Sequence, residues 1–217
     1  MTLSEENYLK AIYHLSKDAR DEVSTNAIAD AMETKASSVT DMVKKLSEKK
    51  LVKYKKYQGV KLTEEGRLYA VNVIRKHRLW EVFLVEKLNF SWDEVHDVAE
   101  QLEHIKSDKL VEELDTFLDY PTVDPHGDPI PDKHGKIQPS SKVLLSSLKK
   151  GEKGVCVGVK NSSKEFLQYL DKLRISLGDE LTVLSREPFD NSVLIRINDS
   201  ELNVSSLTAT NLYVTKT

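Results

Sequence analysis

Cysteine is nearly absent from this chain: Cys156 is the single one in 217 residues. One thiol cannot build an intrachain disulfide framework, and a reducing compartment suits it. No hydrophobic run reaches membrane-spanning length. The opening segment MTLSEENYLKAIYHL carries acids where a secretory leader needs positive charge, and polar residues interrupt its apolar positions. These absences lead us to expect a cytoplasmic protein with no membrane association. Also missing are a His-Glu-x-x-His run, a glycine-rich phosphate loop and a nucleophile elbow. Their absence argues against an enzyme.

Neither sign of charge has much excess, 32 basic against 35 acidic residues giving a formal net charge of -3, so a uniformly basic nucleic-acid coat is excluded. The average hides an asymmetry. Eight lysines (44, 45, 49, 50, 53, 55, 56 and 61) against one acid, Glu48, fill the stretch from Lys44 to Lys61. From Glu94 to Asp119 acids predominate. A basic patch on an acidic chain reads as a local docking surface.

The length allows two modest domains, or one domain with an appended module. Residues 4–17 pattern as an amphipathic helix with a cap near Ser4 and Asn7, and Tyr8, Leu9, Ile12, Tyr13 and Leu15 on one face. Ser24 to Met32 gives a second helix. A third begins at Lys35 and Ala36, with Val39, Met42, Val43 and Leu46 inward. Val52 and Tyr54 alternate with Lys53 and Lys55, Tyr57-Gln58-Gly59 supplies a turn, and Val60 and Leu62 return, forming a short hairpin. Thr63 opens a long helix to about Leu88, Ser91 caps the next, and a further helix runs from about Asp108 to Leu118. Pro121, Pro125, Gly127, Pro129, Pro131, Gly135 and Pro139 then exclude a helix or a central strand. After Ser141 come five β-like segments, VLLSSL, GVCVGV, ELTVLSR, SVLIRI and LYVTK, interrupted by one helix over Ser163 to Leu173. That pattern suits a small barrel.

Three short helices followed by a hairpin is the order of a winged helix-turn-helix, whose third helix enters the major groove of double-stranded DNA. Ser37, Ser38, Thr40 and Asp41 are short polar residues opposite the apolar face of that helix, suited to approach bases. Lys44 and Lys45, with Lys53, Lys55 and Lys56 on the wing, would contact phosphates, which adds affinity without sequence information.

Two clusters of acid and imidazole follow: His77-x-x-x-Glu81, and His96-x-x-x-Glu100-x-x-Glu103-His104. Helix positions three and four apart share a face, so His77 and Glu81 point one way while Glu100, Glu103 and His104 converge. Imidazole and carboxylate without thiolate suits a borderline-hard divalent ion such as Mn2+ or Fe2+. Singly, each acid reads as a solvated helix residue; the conjunction on adjacent helices favours a metal. Cys156 between valines reads as core, His14 and His134 as structural, and Trp80 and Trp92 as packing or interface residues.

EENYLKAIYHL, SSVTDMVKKL, GVKLTEEGR, HDVAEQLEHIKSDKL and PHGDPIP together make the chain resemble the diphtheria toxin repressor family of metal-dependent transcriptional regulators, over nearly its full length. The resemblance implies a mainly α fold with a small β domain. Its parts would be a winged helix-turn-helix over 1–63, a helical dimerisation and metal-binding domain over 64–120, a connector over 121–140 and an SH3-like domain over 141–217. It implies a cytoplasmic homodimer that binds a pseudo-palindromic operator when loaded with metal, at up to two sites per subunit. The primary site would use Asn7, Glu100, Glu103 and His104. The ancillary site would use His77, Glu81 and His96, completed by Asp124, His126 or Glu165. Iron-sensing members have cysteine at the Glu100 position and methionine at the Asn7 position, so the chain resembles the manganese branch, with Mn2+ expected and Fe2+ the alternative. That branch usually has Asp where Asn7 stands, and its short members have Glu where Lys10 stands. Two other functions fit some of these residues: a metal-dependent hydrolase, and a winged-helix regulator responding to an organic ligand.

Overall fold

The computed structural model describes residues 1–16, 22–55, 58–138 and 141–217. Lys56 and Tyr57 of the expected wing, residue 17 of the first helix and Pro139 of the connector lie outside them. Two compact units divide the chain. The first comprises Met1–His77, Glu100–Val111 and Pro131–Ile137; the second comprises Arg78–Ala99, Glu112–Ile130 and Gln138–Thr217.

In the first unit, helix α1 (Leu3–Leu15) is opened by Thr2 rather than by Ser4. Thr2 Oγ1 accepts from Glu5 N at 3.3 Å and Thr2 N donates to Glu5 Oε2 at 3.0 Å, a reciprocal capping box. Ser24 Oγ accepts from Ala27 N and starts α2 (Thr25–Ala31). Glu33, in the left-handed region at φ 48°, makes the turn into α3 (Ala36–Glu48). Leu9, Ile12, Ile28, Val39, Val43 and Leu46, all at 0 % exposure, lock the three helices together. Truncating any one of these leucines or isoleucines to alanine costs about 2–5 kcal/mol.

Strands β1 (Val52–Lys55) and β2 (Gly59–Leu62) pair antiparallel, Val52 opposite Leu62 and Lys55 opposite Gly59. Thr63 then turns the chain into α4 (Glu64–Leu88): its Oγ1 donates to the Leu51 carbonyl and accepts from Gly66 N. A Cβ on Gly66 would lie 1.9 Å from the Leu51 carbonyl oxygen, so only glycine allows this approach.

Helix α5 spans Val95–Leu102 and α6 spans Asp108–Phe117. Ser91 bonds Glu94 through both its N–H and its hydroxyl, but the regular helix begins only at Val95. The connector holds two similar turns, Asp124-Pro-His-Gly-Asp128 and Asp132-Lys-His-Gly-Lys136. In each, the first Asp Oδ1 accepts backbone N–H groups two and four residues on. Each also carries a left-handed glycine, Gly127 at φ 79° and Gly135 at φ 76°. This similarity was not apparent from composition.

The rest of the second unit is a six-stranded antiparallel sheet rather than the five strands expected. Its strands are β3 (Val143–Leu144), β4 (Lys153–Val159), β5 (Glu180–Arg186), β6 (Val193–Ile197), β7 (Ser200–Val204) and β8 (Leu212–Lys216), in the order β3-β8-β4-β5-β6-β7. The added strand, β7, pairs along the whole of β6. VLLSSL is strand for two residues only, then a 3-10 turn over Leu145–Ser147 buries Leu145 and Leu148. Helix α7 (Lys164–Lys172) and the short α8 (Ser206–Ala209) complete the SH3-like module. Cys156 is buried in its core, and burial pushes the thiol up to about 11, so it is an inert packing residue.

Candidate metal centres and nucleic-acid interface

In the first unit α1 brings Glu6, Asn7 and Lys10 to the acid-rich segment at the end of α5. Glu103 is fully buried. Its Oε2 lies 2.6 Å from His77 Nδ1 and 2.7 Å from Lys10 Nζ. Lys10 Nζ also donates to Glu100 Oε1 at 2.6 Å. His77, Glu100 and Glu103 therefore offer three donor atoms within 4.8 Å of one another. His77, which the resemblance placed in the ancillary set, here bonds a primary-set carboxylate.

Glu6 Oε2 lies 2.6 Å from His104 Nδ1. A carboxylate facing that nitrogen accepts a hydrogen bond from Nδ1–H, and in that tautomer Nε2 keeps its lone pair, the arrangement that orients metal-binding histidines. His104 Nε2 sits 3.7 Å from Glu103 Oε1. That oxygen, and Asn7 Oδ1, are buried and accept no hydrogen bond. An unsatisfied buried acceptor costs about 1–3 kcal/mol. Two of them, one lying 3.7 Å from an oriented imidazole, are what a cation-binding site would leave open. Asn7, Lys10 and Glu100 also share the wall of one open cavity. The residues present thus fit an oxygen- and nitrogen-ligated divalent ion of the manganese or iron(II) type.

The second unit carries a separate cluster. Glu81, Asp124 and His126 are all buried and offer donors within 4.8 Å. His126 Nδ1 lies 3.6 Å from Glu81 Oε2, and His126 Nε2 is 2.8 Å from the Trp92 carbonyl. His96, more than half exposed, places Nδ1 3.6 Å from Glu81 Oε1. Asp124 already serves the structure: Oδ1 holds the His126 and Asp128 amides and Oδ2 is 3.3 Å from Arg78 Nε. Burial, then repulsion from Glu81 and Asp128, pushes Asp124 up to about 6. Burial opposes charge on His126, but its bond to Glu81 and the neighbouring acids prevail and raise it to about 9. Glu165 is exposed in the first turn of α7, and no three-donor group among the described residues includes it.

Ser37, Ser38 and Asp41 are exposed on α3, and Lys53 and Lys55 are exposed on β1. Thr40 is half-buried and returns its hydroxyl to the Ala36 carbonyl. Lys44 lies 3.8 Å from Asp41, and Lys45 is drawn to Glu5 at 3.1 Å. Sequence reasoning missed Glu5, Glu6 and the contacts of Lys10. The one available signal was that Asn7 and Lys10, three apart on α1, share a face.

A winged helix joined to an acid-and-imidazole centre defines a class, the metal-responsive DNA-binding regulators. Comparison with known proteins sharpens this. A model of the iron-dependent repressor N-terminal DNA-binding domain matches residues 1–60, its metal-binding and dimerisation domain matches 63–132, and a FeoA domain matches 143–216. The chain belongs to this iron-dependent repressor family, the family of the diphtheria toxin repressor, whose members are transcriptional regulators and not enzymes.

Among relatives, the iron-dependent repressor IdeR of Mycobacterium bovis is 34 % identical over 126 residues, 58 % of this chain and 54 % of that protein. An uncharacterised helix-turn-helix regulator of Methanocaldococcus jannaschii is 36 % identical over 55 % of this chain and 95 % of its own. The chain thus spans about half the length of the first of these. Solved structures match it throughout. A manganese-dependent transcriptional repressor in complex with manganese gives a TM-score of 0.83 at 34 % identity, covering 98 % of this chain and all of that one. The manganese regulator SloR gives 0.73 at 38 % identity over the full length of both.

Proposed function

We propose that this chain is a homodimeric transcriptional repressor of metal-ion homeostasis genes that binds its operator when loaded with Mn2+, with Fe2+ the alternative. The carrying observation is the buried, unbonded Glu103 Oε1, 3.7 Å from His104 Nε2, together with the buried, unbonded Asn7 Oδ1 on the helix whose Glu6 holds His104. Asn7, Glu100, Glu103 and His104 would hold the ion, Glu6 aligns His104, and His77 steadies Glu103. Two carboxylates, an amide oxygen and an imidazole cancel a divalent charge and leave room for further ligands. Held by Asn7 of α1 and by Glu100, Glu103 and His104 at the end of α5, such an ion would tie these two segments together. Everything else falls to the chain: α1 packs on α3, and α3 presents Ser37, Ser38, Thr40 and Asp41 to the major groove while Lys44, Lys45, Lys53 and Lys55 meet phosphates. A near-complete switch requires the ion to favour the DNA-competent arrangement by about 5.5 kcal/mol.

A second ion per subunit would use Glu81 and His96 with Asp124 or His126. We keep the division into 1–63, 64–120, 121–140 and 141–217; family models over 1–60 and 143–216 agree with its first and last parts, while the middle model, over 63–132, runs on into the connector. No helix among the described residues is long and apolar enough to cross a membrane, and a cytoplasmic location belongs to this reading. Titrating promoter DNA by fluorescence anisotropy with Mn2+, Fe2+, Zn2+ or chelator tests it. Manganese is expected to tighten binding about 100-fold or more at fixed salt, a difference of about 2.7 kcal/mol. Equal affinity in chelator would sink the reading.

A further inference from the structure

Three successive residues of α1 face three different tasks. Asn7 carries one of the open oxygens and Glu6 holds His104. Glu5 turns to the other side and is fully buried. Its Oε1 accepts from Lys49 Nζ at 2.7 Å and lies 3.1 Å from Lys45 Nζ, while Oε2 is 2.9 Å from Lys49 Nζ and 3.0 Å from Thr2 N. Both lysines belong to the last turns of α3 and its cap. Apolar packing of Leu9 and Ile12 on Val43 and Leu46 is non-directional and tolerates small slides. A buried carboxylate gripped on both oxygens does not, because sliding strands a buried charge. The two ammonium groups hold the Glu5 carboxyl near 2, far below the ordinary carboxylate range.

We infer that Glu5 is a positioning residue that carries metal occupancy from α1 to the recognition helix α3 through Lys49 and Lys45. This rests on the metal reading above and adds the route by which that ion reaches the DNA-reading surface. Glu5 touches neither ion nor DNA. Lys45 and Lys49, held by Glu5, act as a linkage that also sets where the half-exposed Lys45 meets phosphate; without Glu5 both are unanchored surface cations.

Two variants test the route from opposite ends. Glu5→Gln keeps the capping box, since glutamine serves at that position. Lys49→Gln leaves α1 untouched. Amide hydrogen exchange of the full-length protein is followed in chelator and in MnCl2 alone. In the wild type manganese is expected to slow exchange in both α1 and α3, by about fivefold or more. In either variant α1 should be slowed as in the wild type, while α3 changes by less than about twofold. The ratio of DNA affinities with and without manganese should fall in parallel, on a duplex selected by the wild type from a random library. The ratio matters because freed lysines raise DNA affinity with or without metal. If α3 is protected equally in wild type and both variants, the linkage is wrong and the metal reading stands. If manganese does not protect α1 even in the wild type, the metal reading fails and this route fails with it. If one variant does not fold, the other decides.

Discussion

The two acid-and-imidazole clusters use nearly the same residue types and end in different states. In the second unit, each carboxylate of the cluster is engaged: Asp124 by two amides and Arg78, Glu81 by His126 and His96. In the first unit Lys10 occupies one side of the carboxylate pair, and Glu103 Oε1 and Asn7 Oδ1 accept no hydrogen bond, His104 Nε2 standing 3.7 Å from the former. A cluster that has satisfied its own acceptors gains less from an ion than one that has not. Composition does not separate a sensor from a structural network; leftover acceptors do. The contrast favours the first unit as the regulatory centre.

The largest effect should come from removing the carboxylate that carries the open oxygen. Glu103→Ala is expected to abolish manganese-enhanced DNA binding and weaken manganese affinity by more than the roughly 10–100-fold typical of losing a supporting residue. His126→Ala should leave the enhancement within about threefold, roughly 0.7 kcal/mol. Calorimetric titration and anisotropy on both variants check this, and equal losses would erase the distinction between clusters.

A smaller effect is expected at Lys10. Lys10→Met removes the cation that competes with the incoming ion, so manganese affinity should rise about tenfold, or 1.4 kcal/mol. The metal-free protein should melt lower, because Glu103 would keep its charge in a buried site without that partner. An unchanged melting temperature in chelator would show that Lys10 is a bystander.

The smallest effect is a pH signature of the second unit. His126 titrates near 9 in the fold against an ordinary value of 6.5. Its contribution to stability is therefore fully present below about 6.5 and is lost as pH rises through 9. Thermal melts of the metal-free protein between pH 6 and 9.5 should show this loss, and His126→Gln should remove it. Asp124, raised from 3.8 to about 6, acts in the same direction at lower pH, its contribution being lost as pH rises from about 4 through 6.

Much of the architecture was legible because the apolar period was strong: α1 to α4, the wing, β4, β5, β6 and β8 follow from Leu9, Ile12, Val39, Val43, Ile195 and Val214 falling on one side. β7 escaped because SELNV offers only Leu202 and Val204 to the interior and gains strand character by pairing with β6. VLLSSL misled in the other direction, since an apolar run is equally content in a 3-10 turn that buries two leucines. Glu100, Glu103 and His104 were visible as a local spacing. Their partners were not, because Lys10 and Glu6 reach them across 90 to 98 residues of sequence and no local period records that. Asp124, one of three candidates to complete the ancillary set, commits one oxygen to backbone through a turn geometry that composition does not record.

Lys10 has a consequence for how such a regulator is recycled. With an ammonium already seated among the acids, a molecule that has shed its ion would keep part of the charge balance of that buried site. Depletion would then silence it without marking it for destruction, and the same copy can answer the next influx with no fresh synthesis.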